Sequence, residues 1–128
     1  MSQSILVIDD DEGVRDAFDL ALEDSGYRVL LASGGIEGLE IAARETIDMI
    51  FLDLKMPDID GVETMRRLRA SGCSCPIYIV TAFMPEYLDQ LSVAAKEGLL
   101  FGLGQKPLSA DQIRSIARGS LTGPEAIQ

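Results

Sequence analysis

Histidine and tryptophan are absent from this 128-residue chain, cysteine occurs only twice, and 11 Lys and Arg stand against 21 Asp and Glu. Each shortage closes off a class of function. Without histidine no Ser-His-Asp or Cys-His nucleophilic pair can form, and Cys73 and Cys75 lack the partners that would complete a zinc site within the chain. A net charge of −10 argues against direct binding of nucleic acid, which needs clustered Lys and Arg to meet phosphates; much of that charge simply keeps a protein soluble. No apolar run approaches the ~18 residues that cross a bilayer. The N-terminus shows no basic segment followed by a long apolar core, so no signal peptide is read there. Two thiols one residue apart, beside a strand, fit a reduced loop pair in a cytosolic protein better than a disulfide framework. There is no Gly-x-x-x-x-Gly-Lys-Ser/Thr loop, and Gly34, Gly35 and Gly38 do not have dinucleotide-fingerprint spacing.

What is present is a regular alternation of two periods. The chain is 47% hydrophobic, enough for one domain with a core. Apolar, strand-like runs occur at Ile5–Ile8, Arg28–Ala32, Met49–Leu52 and Ile77–Val80, with a weaker fifth from Leu99 to Gln105. Between them, apolar residues recur at helical spacing: Val14, Phe18, Ala21, Leu22 and Ser25; then Ile36, Leu39, Ile41 and Ala43; then Val62, Met65 and Leu68. Pro85-Glu86 fits the first turn of a fourth helix carrying Leu88, Leu91 and Ala95. Ser109 and Asp111 open a fifth with Ile113, Ile116 and Ala117 on one face. Gly26, Gly72 and Gly98 offer helix stops, and Asp60 is placed to cap the third helix. The tail from Gly119 is small and polar and is expected to fray. Five β-α units with strands apolar throughout predict a parallel sheet between helix layers, an α/β doubly wound three-layer sandwich.

The strand runs end on chemistry. The first stops at Asp9-Asp10-Asp11, the third at Asp53, the fourth at Thr81 and the fifth at Lys106-Pro107. In an open parallel sheet the carboxyl ends of the strands are where ligands bind. Side by side, these residues would form a cluster of carboxylates with a hydroxyl and an ammonium, suited to a divalent cation and a phosphoryl group. Magnesium takes oxygen ligands and usually one or two carboxylates; three close carboxylates raise one another's pKa unless a cation neutralises them. A metal-held aspartate can attack phosphorus to give an aspartyl phosphate, a transfer governed by positioning and charge neutralisation. Asp53, at the end of a central strand, is the nucleophile candidate, and Asp9 and Asp10 are the metal ligands. Lys106 supplies a mobile point charge, Pro107 makes the preceding bond a candidate for cis, and Thr81 offers a hydroxyl donor. Taken singly, a strand-end Asp pair, lysine or threonine is ordinary structure; order and spacing together carry the reading.

At these residues the chain resembles the receiver domain of bacterial two-component response regulators, over roughly residues 4 to 121. The resemblance rests on Ile-Leu-Val-Ile-Asp9-Asp10-Asp11, on Asp53-Leu-Lys-Met56-Pro57-Asp-Ile-Asp60-Gly61, on Val80-Thr81-Ala82 and on Lys106-Pro107-Leu108. It implies a flavodoxin-like (βα)5 fold with a five-stranded parallel sheet in the order 2-1-3-4-5, a receiver domain over residues 1–121 and a flexible tail over 122–128. It also implies that Asp53 is the phosphoacceptor, loaded from a sensor histidine kinase, a phosphotransfer protein or a small phosphodonor. Asp10 would be the direct Mg2+ (or Mn2+) ligand, Asp9 a ligand often acting through water, and Lys55 a ligand through its backbone carbonyl. Thr81 would be the switch hydroxyl and Lys106 the phosphate-binding lysine, with backbone groups of Met56 and Ala82 meeting phosphoryl oxygens. Such a domain is a cytoplasmic signalling module rather than an enzyme with a separate substrate. It biases a two-state surface through the charge gained at Asp53.

One position departs from the family pattern. Three residues before the lysine, where the family carries an aromatic switch residue, stands Leu103. Phe101 lies two residues earlier with the same parity, so either Phe101 substitutes through a bulge or the aromatic switch is missing. Lys55 and Phe83 flank the site and are expected to tune phosphoryl lifetime. The output face would be the fourth helix, fifth strand and fifth helix, docking a protein target, an output domain or a second copy of the chain. Phe83, Met84, Tyr87, Phe101 and Leu103 are its apolar candidates, with Leu103 expected in the core. Two alternatives remain at this stage. A haloacid-dehalogenase-type phosphatase would use Asp9-x-Asp11, though the usual Thr shortly after is missing. A pseudo-receiver would engage partners without phosphorylation. No DNA-binding or enzymatic output segment is read in the chain.

Overall fold

The computed structural model describes residues 2–82 and 85–122. Five strands, β1 (Ser4–Ile8), β2 (Arg28–Ala32), β3 (Met49–Leu52), β4 (Ile77–Thr81) and β5 (Gly102–Gln105), alternate with five helices, α1 (Glu12–Leu22), α2 (Gly35–Arg44), α3 (Gly61–Ala70), α4 (Leu88–Lys96) and α5 (Ala110–Thr122). The strands pair in parallel in the order β2-β1-β3-β4-β5. This is the doubly wound sandwich that the alternation predicts, in the flavodoxin-like strand order that the resemblance implies. β1 and β3, apolar at nearly every position, are buried end to end, as strands between two helix layers must be.

Two cores flank the sheet. On one face Phe18, Ala21 and Leu22 of α1 join Ile113 and Ala117 of α5 against Ile5, Val7, Phe51 and Val80. On the other, Ile41 of α2, Val62, Met65 and Leu68 of α3, and Leu91 and Ala94 of α4 pack on Leu6, Ile8, Ile50, Leu52 and Ile79. Helix ends follow their local chemistry. The Asp11 carboxylate accepts from the Val14 amide at 3.2 Å and that of Asp60 from the Glu63 amide at 2.8 Å. Ser109 and Gln112 cap α5 reciprocally. The three glycine stops, Gly26, Gly72 and Gly98, all adopt positive φ (81°, 97° and 91°).

The structure departs from the expectations at several places. β5 covers only Gly102–Gln105, because Leu99 and Phe101 are drawn into packing beneath α4 instead of extending the strand. Pro85–Tyr87 forms a 3-10 turn and α4 begins at Leu88. Its buried residues are Leu91 and Ala94; Leu88 is half exposed and Ala95 exposed. In α2 the buried contacts come from Gly35, Gly38 and Ile41, whereas Ile36 and Ala43 face outward. The reason is close approach: a Cβ at Gly38 would meet Ile8 Cδ1 at 2.4 Å. α1 ends at Leu22, leaving Ser25 in the following turn. β2 is a sheet edge and only partly buried. The helix expected to fray from Gly119 continues to Thr122; beyond it, residues 123–128, with most of the expected tail, lie outside the described residues, as do Met1, Phe83 and Met84. Leu103, expected in the core, is 38% exposed, since β5 is an edge strand.

Candidate functional site

The sheet ladder itself aligns the site. Just past the strands, the Asp9 amide donates to Ala32 O (3.1 Å), Asp53 N to Ile8 O (2.9 Å) and Lys106 N to Thr81 O (3.0 Å). Parallel pairing thus carries three polar residues to one edge, level with one another. Asp9 and Asp53 are almost buried, at 4% and 6% exposure, and Asp10 is exposed beside them. One carboxylate oxygen from each of Asp9, Asp10 and Asp53 lies within 4.8 Å of the other two. The Lys106 ammonium bridges two of them, 2.7 Å from Asp9 Oδ2 and 3.3 Å from Asp53 Oδ1. Thr81 is buried at the end of β4, and the Lys106–Pro107 bond is cis.

The electrostatics follow from this crowding. Burial pushes the Asp53 carboxyl up to about 6 and the Asp9 charge adds to the rise, while Lys106 opposes both. Burial of Lys106 works against its charge, but the hydrogen bond and charge of Asp9 and the charge of Asp53 outweigh it and hold the ammonium above its ordinary value. The oxygens of an octahedral shell of about 2.1 Å radius lie about 3.0 to 4.2 Å apart. Three carboxylate oxygens within 4.8 Å, mounted on one mostly buried and one open side, therefore fit a hard divalent cation with small side-chain rotations.

Other residues fall around this centre. Met56 is buried in the core and Ala82 is exposed at the β4 end. The Lys55 side chain points outward to a long ion pair with Glu86, at 3.8 Å. Phe101 is half-buried against the α3 and α4 side of the core and Tyr87 packs on the same cluster. β4 and β5 pair one-to-one from Tyr78↔Gly102 to Thr81↔Gln105, so β5 contains no bulge and no aromatic residue. Asp11 caps α1, which leaves it out of the carboxylate cluster.

Two residues that sequence reasoning missed support the site. Arg15, one turn into α1, donates to the Asp9 carbonyl at 2.8 Å. Asp58 accepts from the Gly35 and Ile36 amides at 3.2 and 2.8 Å, tying the loop after Asp53 to the start of α2. Neither had a local signal, although the bare Gly34-Gly35 helix start, with no side chain of its own to cap it, hinted at a donor from elsewhere.

A five-stranded parallel sheet with an acidic cluster and a lysine at its carboxyl edge is the arrangement expected of a receiver domain, and comparison with known proteins places the chain in that class. Residues 5–118 match the family model described as the response regulator receiver domain; the chain belongs to that family, which is a family of signalling modules. It is 44% identical over 129 residues to response regulator MprA of Mycobacterium tuberculosis (strain H37Rv), covering 98% of this chain and 54% of that protein. The chain thus spans about half the length of that curated relative. Among solved structures, a CheY-like receiver domain protein of Methanospirillum hungatei superposes with a TM-score of 0.87 at 23% identity, over 100% of both chains. Response regulator TrrA of Thermotoga maritima, solved in complex with Mg2+ and BeF, gives a TM-score of 0.76 at 26% identity, over 91% of this chain and 96% of that one.

Proposed function

We propose that this domain accepts a phosphoryl group on Asp53 in a reaction that depends on Mg2+ or Mn2+. The observation that carries the reading is the convergence of Asp9, Asp10 and Asp53 within 4.8 Å, with the Lys106 ammonium 3.3 Å from Asp53. Asp9, Asp10, Asp53 and the Lys55 carbonyl would hold the cation, which, when bound, neutralises carboxylate charge and draws phosphoryl oxygens to the site. With a pKa about 6, Asp53 is largely ionised at neutral pH. Its carboxylate oxygen attacks phosphorus, the phosphodonor departs with the bonding electron pair, and the product is an aspartyl phosphate. Lys106 and Thr81 then meet the new phosphoryl oxygens, with backbone groups of Met56 and Ala82.

A histidine kinase or phosphotransfer protein in the cytoplasm is the donor this reading requires. The receiving surface is α4-β5-α5, where Leu88, Val93 and Leu103 are exposed, offered to a protein target, an output domain or a second copy of the chain. Because β5 itself carries no aromatic residue, the switch assigned to Thr81 runs through Phe101 at the strand's entrance or through backbone movement. Intact mass after incubation with acetyl phosphate tests the chemistry. One Mg2+-dependent phosphoryl adduct is expected on the wild type and none on Asp53→Asn; an adduct that survives that substitution would refute the assignment.

A further inference from the structure

At the opposite edge of the sheet, before β4, Cys73 and Cys75 bring their sulfurs to 3.3 Å. The α3–β4 loop is built to hold them there. Arg69, in the last turn of α3, donates to the carbonyls of both Cys73 (3.1 Å) and Cys75 (2.7 Å) and reaches Leu100 O at 3.0 Å. One guanidinium therefore fixes the backbone on either side of Ser74, and both sulfurs are left facing each other. Both thiols are free and only half-buried. They line two clefts: one of about 600 Å³, shared with Arg69, Leu99 and Phe101, and another of about 430 Å³, reaching Ala42, Ile47 and Asp48. A bond length of about 2.05 Å is roughly 1.3 Å closer than the present separation.

We propose that Cys73 and Cys75 form a thiol–disulfide exchange site that takes low-molecular-weight disulfides such as glutathione disulfide. Either sulfur can donate to the other across that contact. Their hydrogen bond favours a thiolate on one of them, with help from the Arg69 charge and against burial, while the other is pushed up and keeps its proton. The thiolate attacks one sulfur of the disulfide, forming a mixed disulfide and expelling one glutathione thiolate. The remaining thiol then gives up its proton to solvent and attacks the protein sulfur of the mixed disulfide, expelling the second glutathione. Two protein thiols are oxidised to one intramolecular disulfide, and one glutathione disulfide is reduced to two glutathiones. Reversible pairs of this kind are the form in which disulfides occur in reducing compartments.

The test is incubation of the full chain with excess glutathione disulfide at neutral pH, acid quenching, alkylation and intact mass. The expected wild-type product is a monomer lighter by two hydrogens, with no adduct, restored to two alkylatable thiols by dithiothreitol. Cys73→Ser and Cys75→Ser, each left with one thiol, should each stop at a single glutathione adduct that does not resolve. Circular dichroism confirms that both variants fold, and both should accept phosphate from acetyl phosphate as the wild type does, since the pair lies far from Asp53 along the strands. Two unmodified wild-type thiols, a persistent mixed disulfide or a disulfide-linked dimer would each overturn the proposal.

Discussion

Asp53 is held in an environment that disfavours its own charge, and that makes the site sensitive to protons. Its pKa of about 6 in the folded chain exceeds the ordinary 3.8, so between pH 4 and 6 the folded state binds more protons than the unfolded state. Stability gained by protonation is therefore full at low pH and lost as pH rises through 6. In chelator, lowering the pH from 7.5 to 5 is expected to raise the urea unfolding free energy of the wild type by about 1–1.5 kcal/mol relative to Asp53→Asn. Parallel curves for the two proteins would remove Asp53 as the source. Asp58 acts in the opposite sense. Burial would raise its carboxyl, but hydrogen bonds from the Ile36, Ile59 and Gly35 amides outweigh this and hold it below its usual value. Its contribution is present above that usual value and fades as pH falls below it. Asp58→Ala should cost about 1 kcal/mol at neutral pH by uncapping α2, measured by chemical denaturation. Asp9, Asp10, Asp53 and Lys106 could be read from the sequence because each stands where an apolar run stops. Asp58 and Arg15 could not, since their partners are 22 residues away or on a backbone carbonyl whose direction only the folded sheet sets.

Among the elements, the join between β3 and α3 leaves least room. A Cβ on Gly61 would meet the Asp53 carbonyl oxygen at 2.3 Å and Leu54 Cα at 2.9 Å. Both are backbone atoms that cannot rotate away, and the Gly61 amide also donates to Leu54 O at 2.8 Å. Gly61→Ala should then destabilise the fold by about 1–3 kcal/mol and weaken cation binding, because relief of the clash moves Asp53 itself. Gly119→Ala is the control: nothing lies within 4 Å of its Cβ position on exposed α5, so the same change should stabilise by about 0.5–1 kcal/mol. Thermal melts with and without Mg2+ compare the two, and a harmless Gly61→Ala would show that the loop is looser than its contacts. The turn after Asp53 was thus legible as a motif, and the structure supplies its steric reason. β5 was less legible. Its two glycines weaken any strand signal, yet they are what lets the Tyr78 ring lie across the edge: Cβ atoms at Gly102 and Gly104 would meet that ring at 2.4 and 2.9 Å. The exposure of Leu103 has the same origin, an edge position that periodicity alone does not reveal.

At the scale of the whole molecule, the order of elements was readable because continuous apolar strands separated by helix-period segments admit few arrangements. What sequence could not convey is how a net charge of −10 is distributed, with part of it converging on one point at the sheet edge. That concentration separates two responses to added salt. General repulsion is relieved by any electrolyte through screening, whereas the carboxylate cluster responds to a cation that binds it. By mass action, Mg2+ at 100 times its dissociation constant adds about 2.7 kcal/mol to stability, roughly 10 °C in Tm for a domain of this size. NaCl at matched ionic strength is expected to give only a small shift, nearly the same in every variant. Asp10→Asn, which removes an exposed member of the cluster without leaving a buried charge unpaired, should keep the NaCl response and lose most of the Mg2+ response. Equal shifts from the two salts in the wild type would mean that the carboxylates act only as part of a diffuse negative surface, and the phosphoryl chemistry assigned to Asp53 would then lack the cation it depends on.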